Sequence, residues 1–328
     1  MAHSTEQTTE QTAAQATDAF ATDVYGGLTQ SPQKTLPSKY LYDAVGSALF
    51  EVITHLPEYG LTRADERLIK SNAQDMFAKL GPVRTVVELG SGSGRKTRWV
   101  LEACAQRQPC TYYPIEISAT ALAHCGRELS NIAGVKVLGI EREYLPGLQQ
   151  ISSMRQGESP MLVLFLGSTI GNFARPDAQR FLSDVRKMMR PGDALLLGTD
   201  LVKPRQQLID AYDDALGITA AFNLNLLVRI NRELGANFDV KQFQHEARFN
   251  VDTSAIEMHI RSRIQQSVHI PGAGLTIAFE EGETIWTEIS RKYLAPDVLA
   301  MGAKAGFTSG GQWIDEAWPF AETLLVAA

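Results

Sequence analysis

The segment that most constrains the fold is a short apolar run, Thr85-Val-Val-Glu-Leu89, entering a turn with glycine at every second position. The turn reads Glu88-Leu-Gly90-Ser-Gly92-Ser-Gly94-Arg-Lys96-Thr97. Glycine takes backbone angles closed to other residues and lets a ligand approach the chain, and a helix starting beyond it offers free amide donors. The flanking sequence repeats this strand-to-helix rhythm. Upstream, Leu68, Ile69, Ala73, Met76, Phe77 and Leu80 recur at helical spacing until Gly81-Pro82, and Thr62-Arg-Ala-Asp65 has the form of a capping box opening that helix. Downstream, Tyr112–Ile117 reads as a strand, Ala119–Leu129 as a helix and Val135–Leu138 as a strand. Met161–Leu166 is a continuous apolar run of strand length. Asp177–Met189 is a helix closed by Arg190-Pro-Gly-Asp193, and Ala194–Leu197 is a further strand. Such alternation predicts an α/β fold with a parallel, doubly wound sheet and helices on both faces.

After Asp200 the rhythm changes. Residues 205–235 read as helical, and 247–290 alternate with period two, with Ile256, Met258 and Ile260 on one face and Glu257, His259 and Arg261 on the other. Pro271-Gly-Ala-Gly274 and Glu280-Glu-Gly-Glu283 are turn sequences between such strands. From Ala295 the α/β style resumes, with a helix to Gly306-Phe307 and strands near Gln312–Ile314 and Glu322–Val326. The expectation is an antiparallel module inserted into an α/β chain. The inserted domain takes 21–63 and 202–292, and the sheet domain takes 64–201 and 293–328.

The chain has 328 residues, enough to bury a large core without a disulfide or metal staple. A net charge of −6 speaks against coating nucleic acid or binding a basic patch to a membrane, and no apolar run has the length of a membrane helix. Cys104, Cys110 and Cys125 have neither CxxC spacing nor a disulfide pattern, and the six histidines form no HxxxH or HxH pair, so no metal site is expected. Residues 2–19 contain no Lys or Arg and no apolar core, which fits no targeting peptide. They read as the body of a disordered tail over 1–20 of a cytoplasmic protein with no obligate protein partner.

Three ligands compete for the glycine turn. A dinucleotide turn of GxGxxG form would need glycine where Arg95 stands. A P-loop misses by the same residue, and the run Met161-Leu-Val-Leu-Phe-Leu166 ends in Gly167-Ser168 rather than in an aspartate. The ExGxGxG turn of class I S-adenosylmethionine-dependent methyltransferases matches throughout. That ligand carries a ribose, which calls for an acid at the end of the second strand, and Glu116 stands there.

The motifs Tyr42-Asp-Ala-Val-Gly-Ser47, Leu56-Pro-Glu-Tyr59, Phe165-Leu-Gly-Ser-Thr-Ile-Gly-Asn172 and Gly198-Thr-Asp-Leu-Val-Lys203 add a more specific likeness. Together with Ala211-Tyr-Asp-Asp214, Gly217-Ile-Thr-Ala-Ala-Phe-Asn223, Asn231-Arg-Glu-Leu234, Ile256-Glu-Met258 and Thr287-Glu-Ile-Ser290, they resemble the histidine-specific α-N-methyltransferases of ergothioneine biosynthesis. The likeness runs from about residue 25 to the C-terminus. It implies a class I (Rossmann-like) methyltransferase sheet with an inserted α+β substrate-binding domain, and trimethylation of L-histidine to hercynine with S-adenosylmethionine as donor. Carried over by position, the substrate residues are Tyr42, Tyr59, Asn172, Tyr212, Met258, Glu288 and Ser290. The donor residues are Glu88, Gly90, Gly92, Gly94, Lys96, Glu116 and Glu141.

Within that frame Asn172 and Tyr212 supply donors to a substrate carboxylate, Glu288 and Ser290 read an imidazole, and Tyr42 and Tyr59 position the amine or ring edge. Glu288 and Ser290 are two apart in a predicted strand and so share a face. No residue stands out as a general base. The sequence departs from the family at Gly60, where a tyrosine is usual, at Glu116, often Asp, and at Gly139-Ile-Glu-Arg-Glu143, where Gly-Asp is usual.

Overall fold

The computed structural model describes residues 17–92 and 94–328. They form two compact units: Gly60–Lys203 with Arg291–Ala328, and the described residues up to Tyr59 with Pro204–Ser290. The expected boundaries, after residues 63, 201 and 292, differ from these by up to four residues.

The first unit is built on a sheet whose strands lie in the order Phe307–Asp315, Phe320–Ala327, Ala194–Asp200, Met161–Phe165, Thr85–Leu89, Cys110–Glu116 and Val135–Val137, with Ile140–Glu141 pairing Cys110–Glu116. The strands are parallel except that Phe320–Ala327 runs antiparallel to both of its neighbours. Side chains alternate between two cores. Val87, Ile115, Val163, Phe165 and Leu195 pack under helices Tyr144–Met154, Arg175–Lys187 and Ala295–Lys304. Val86, Tyr112, Leu162, Leu164 and Leu196 pack under Leu61–Ala78, Thr97–Ala105 and Ala119–Leu129. Burial on both faces is why these strands read as unbroken apolar runs. Cys104, Cys110 and Cys125 are buried free thiols.

One local expectation is corrected. The helix begins at Leu61 with Gly60 at its N-cap and no side-chain cap, so Thr62 is already inside it and Asp65 does not close a capping box. Asp65 is instead fully buried.

In the second unit the sheet order is Lys34–Thr35, Thr284–Arg291, Ala255–Ser262 and Phe243–Asn250. The last two pair antiparallel, as do Gln266–Ile270 and Leu275–Phe279 in a separate hairpin. Lys34–Thr35, too short to read from sequence, joins in parallel. The helical stretch expected over 205–235 is two helices, Arg205–Asp210 and Ile218–Leu234, interrupted by a bend at 211–217. Gly217 and Gly235, both left-handed, bracket the second helix, and Asp214 accepts the backbone N–H groups of Ile218 and Thr219 at 3.0 and 2.7 Å. Of the expected tail, residues 1–16 lie outside the described residues, whereas 17–28 are helical. Phe20, Val24 and Leu28 form a buried stripe at i, i+4 and i+8, with the Phe20 ring 4.4 Å from that of Tyr40. Three apolar residues on one face give that segment surface to bury.

Candidate active site

Doubly wound sheets take ligands outside the C-terminal ends of their strands. In the first unit that edge holds the expected donor residues. Gly90, Gly92 and Gly94 have φ of 78°, 50° and 74°. A Cβ on Gly90 would stand 2.9 Å from the Tyr144 hydroxyl, and one on Gly94 would stand 2.8 Å from Cys125 Sγ. A Cβ on Gly92 would meet nothing within 4 Å, so the turn opens outward there. Glu116 and Glu141 end adjacent parallel strands and sit in register. Glu116 Oε1 accepts the N–H groups of Ile117 and Ser118 at 2.9 and 3.2 Å, which aims its carboxylate along the sheet edge.

Glu88 is placed differently from the other donor residues. It is 1% exposed, its two oxygens accept from the Thr97 hydroxyl at 2.9 and 2.8 Å, and the Tyr112 hydroxyl donates to one of them. Burial pushes its pKa up to about 7 against the hydrogen bonds from Tyr112 and Thr97. Glu88 therefore ties the first strand to the following helix and the second strand.

Lys96 pairs with Asp65, and the Gly167 amide donates to the same Asp65 oxygen at 2.9 Å. Burial alone would lower the Lys96 pKa, but the charge of Asp65 and their hydrogen bond hold it above the ordinary value. Fully buried Glu322 lies beside them; burial first, and the negative charge of Asp65 second, keep its carboxyl protonated far above the usual range. Asp65 escaped the sequence reading because its position suggested a cap.

Asn172 ends the short 3₁₀ turn Thr169–Asn172 just past the apolar strand Met161–Phe165. The chain reaches it through two left-handed residues, Gly167 at 70° and Ser168 at 60°. Ser168 Oγ accepts the Asp200 amide at 2.9 Å, which helps hold a backbone angle that serine seldom adopts. Asp200 itself, 1% exposed, pairs with Lys203 at 2.5 Å and Lys292 at 2.8 Å and accepts the Trp318 indole N–H at 3.0 Å. Although burial raises the Asp200 pKa, its two lysines override that and lower it; burial pushes Lys203 down to about 8. Gly60 lies under Trp318: a Cβ there would stand 2.2 Å from the indole ring. The position where a tyrosine is usual is thus filled by the ring of Trp318.

The second unit brings the remaining candidates together. Tyr212 and Tyr59, each 7% exposed, meet edge to face with ring centroids 5.8 Å apart. The Tyr212 hydroxyl bonds Ser290 Oγ at 2.7 Å. Tyr42 packs edge-on to Phe50 and Phe222, at 5.5 and 5.4 Å, and Phe50 reaches Tyr59 at 6.3 Å, so one aromatic cluster joins Tyr42 to Tyr212. Glu288 shares the strand Thr284–Arg291 with Ser290 and is half-buried. Met258, 1% exposed, lies on the central strand Ala255–Ser262, and its carbonyl accepts the Thr287 hydroxyl at 3.0 Å.

A family described as histidine-specific, S-adenosylmethionine-dependent methyltransferases matches residues 20–327. The chain belongs to that family. It is 40% identical to the histidine N-alpha-methyltransferase of Mycolicibacterium smegmatis over 95% of its own length and 96% of that protein's. It is 42% identical to the enzyme of the same name from Mycobacterium tuberculosis, over 93% and 94% of the two chains. Similarity extends to ergothioneine biosynthesis protein 1 of Neurospora crassa, at 30% identity over 77% of this chain and 31% of that longer one.

This methyltransferase presents a donor edge whose residues fit S-adenosylmethionine. Two acids in register at the strand ends can accept from hydroxyl and amine donors, and the glycine turn is open at Gly92. Family membership removes the P-loop and dinucleotide readings of the same turn. Tyr144 is a residue the sequence reading missed. Its hydroxyl covers Gly90, and burial, with Glu116 nearby, pushes its pKa up to about 12. Nothing in the local sequence marks it, since its place depends on how Tyr144–Met154 packs on the sheet.

Proposed function

We propose that this methyltransferase trimethylates the α-amino nitrogen of L-histidine to give hercynine, as a step of ergothioneine biosynthesis in the cytoplasm. The observation that carries this reading is the Tyr212–Ser290 hydroxyl pair, backed by Tyr59 and continued along the same strand by Glu288. Two hydroxyls and a carboxylate are the groups that an amino acid with an imidazole side chain requires. Glu288 and Ser290 bind the ring, Tyr212 and Asn172 donate to the substrate carboxylate, and Tyr42 and Tyr59 orient the amine. Met258 shapes the wall. Glu116, Glu141, Lys96 and the glycines, all in the first unit, hold the donor.

When bound, S-adenosylmethionine supplies an electrophilic methyl on a sulfonium. The protein's contribution is alignment: a neutral amine, the methyl carbon and the sulfur must be collinear, and fixing that geometry accounts for a large share of the acceleration. No nucleophilic side chain is required, and the departing amine proton can pass to solvent. A site built to hydrogen-bond the ring discriminates strongly, because an analogue without its nitrogens leaves buried polar groups unpaired.

The test is incubation with S-adenosylmethionine and each amino acid, read by mass spectrometry. Histidine is expected to gain three methyl groups. A gain on tryptophan in place of histidine overturns the substrate, and binding of S-adenosylhomocysteine without any turnover overturns the activity.

A further inference from the structure

Beneath Tyr212 in the second unit lies a chain of buried and half-buried polar groups that the proposed chemistry does not use. Asn223, fully buried on the helix Ile218–Leu234, sits at its centre. Its Nδ2 lies 3.0 Å from the His259 carbonyl and 2.9 Å from His245 Nδ1, and its Oδ1 accepts the Thr287 hydroxyl at 2.7 Å. On the other side of the ring, His245 Nε2 is 2.7 Å from the Tyr212 carbonyl.

These contacts leave one consistent set of protons. A carbonyl accepts and never donates, so the His259 carbonyl requires the Asn223 amide nitrogen at that position. Rotating the amide by half a turn would set two oxygens against each other. The Asn223 nitrogen therefore donates to His245 Nδ1 as well, which makes Nδ1 an acceptor. The Tyr212 carbonyl requires a donor from Nε2. The imidazole is thus neutral, with its one proton on Nε2.

We propose that His245 is a positioning residue: locked as the neutral Nε2–H tautomer, it anchors the Tyr212 main chain and through it the Tyr212–Ser290 hydroxyl pair. This rests on the reading of Tyr212 and Ser290 as substrate-binding groups. Protonation at Nδ1 would turn the Asn223 contact into donor against donor, with no rotamer of Asn223 able to relieve it. Burial lowers the His245 pKa, and the bond to the Tyr212 carbonyl, followed by the surrounding negative charges, offsets this in part. The charges of Asp213 and Asp214, ahead of the helix, and of Glu246, the next residue of its own strand and on the opposite face, act on the ring from a distance. The helix presents the Asn223 amide, and the paired strand presents Ile260 directly opposite. The ring is neutral at neutral pH and takes a proton in acid, below the ordinary imidazole range.

Nitrogen-15 NMR of imidazole-labelled protein, without substrate, reads the tautomer directly. A neutral ring protonated at Nε2 is expected at pH 7; an Nδ1–H tautomer or an imidazolium overturns the proposal whether or not histidine is a substrate. Kinetics then test the positioning role. His245→Gln keeps one donor and one acceptor and is expected to hold the histidine KM near that of the parent. His245→Phe keeps size but neither bond and is expected to raise KM about tenfold, as for loss of a buried hydrogen bond, while affinity for S-adenosylhomocysteine stays unchanged. Measuring the ratio of parent to His245→Gln KM at each pH cancels the titration of the substrate itself. That ratio is expected to rise in acid, and a flat ratio, or a His245→Phe enzyme with the parent's KM, contradicts the role.

Discussion

At Gly94 the backbone has φ of 74°, and a Cβ would stand 2.8 Å from both Cys125 Sγ and Leu129 Cδ1. Gly94→Ala adds strain and a clash with a packed helix, so it is expected to cost about 1–3 kcal/mol in denaturant unfolding and to weaken S-adenosylhomocysteine binding. Glu88 makes a prediction of a different kind. Its folded pKa of about 7 lies above the ordinary 4.5, so its contribution to stability is fully present below about pH 4.5 and is lost as pH rises through about 7. Glu88→Gln removes that loss. The parent's stability relative to the variant is therefore expected to fall across this window, and equal slopes for the two proteins would count against the assignment. Glu288→Ala is expected to erode selectivity for histidine more than affinity for the donor; unchanged histidine kinetics would remove Glu288 from the site. At this scale the sequence makes legible the residues whose motif is local, such as the three glycines and the acid closing the second strand. Asp65 and Tyr144 were not legible, because their partners, Lys96 and the turn at Gly90, lie far along the chain and meet them only in the folded sheet.

Among the elements, the helix Ile218–Leu234 carries Asn223 and depends on its start. Asp214 occupies two of the amide donors left unpaired there, at 3.0 and 2.7 Å, and its own pKa is lowered by those bonds despite the opposing effect of burial. Asp214→Ala is expected to destabilise the protein by about 1 kcal/mol, measured by chemical unfolding. The helix Leu61–Ala78 shows how element reading fails. Its apolar stripe was plain from Leu68 to Phe77, yet the cap was misplaced, because Thr62 and Asp65 imitate a capping box while the chain turns at Gly60 under Trp318. Asp65→Asn removes the counter-charge of Lys96 and the strong acceptor for the Gly167 amide. Donor affinity is expected to fall about tenfold by isothermal titration, as for a broken buried charged hydrogen bond. The apolar runs gave Thr85–Leu89 and Met161–Phe165 to within one residue, but ended Ala194–Asp200 three residues early, where Gly198-Thr-Asp200 interrupts the apolar pattern. The two-residue strand Lys34–Thr35 was not, since its pairing with Thr284–Arg291 is a long-range event with almost no local pattern.

For the whole molecule, a change from α/β alternation to period-two patterning near residue 200, and back near 295, makes the interrupted chain visible in the sequence. Phe20, Val24 and Leu28 give residues 17–28 a buried helical stripe, and the first four of those residues fall within the expected tail. The protein supplied with histidine and excess S-adenosylmethionine should release three equivalents of S-adenosylhomocysteine for each histidine consumed. The product's nine equivalent methyl protons should appear on the α-nitrogen by NMR. Methylation on an imidazole nitrogen, or arrest after one equivalent, would contradict the account.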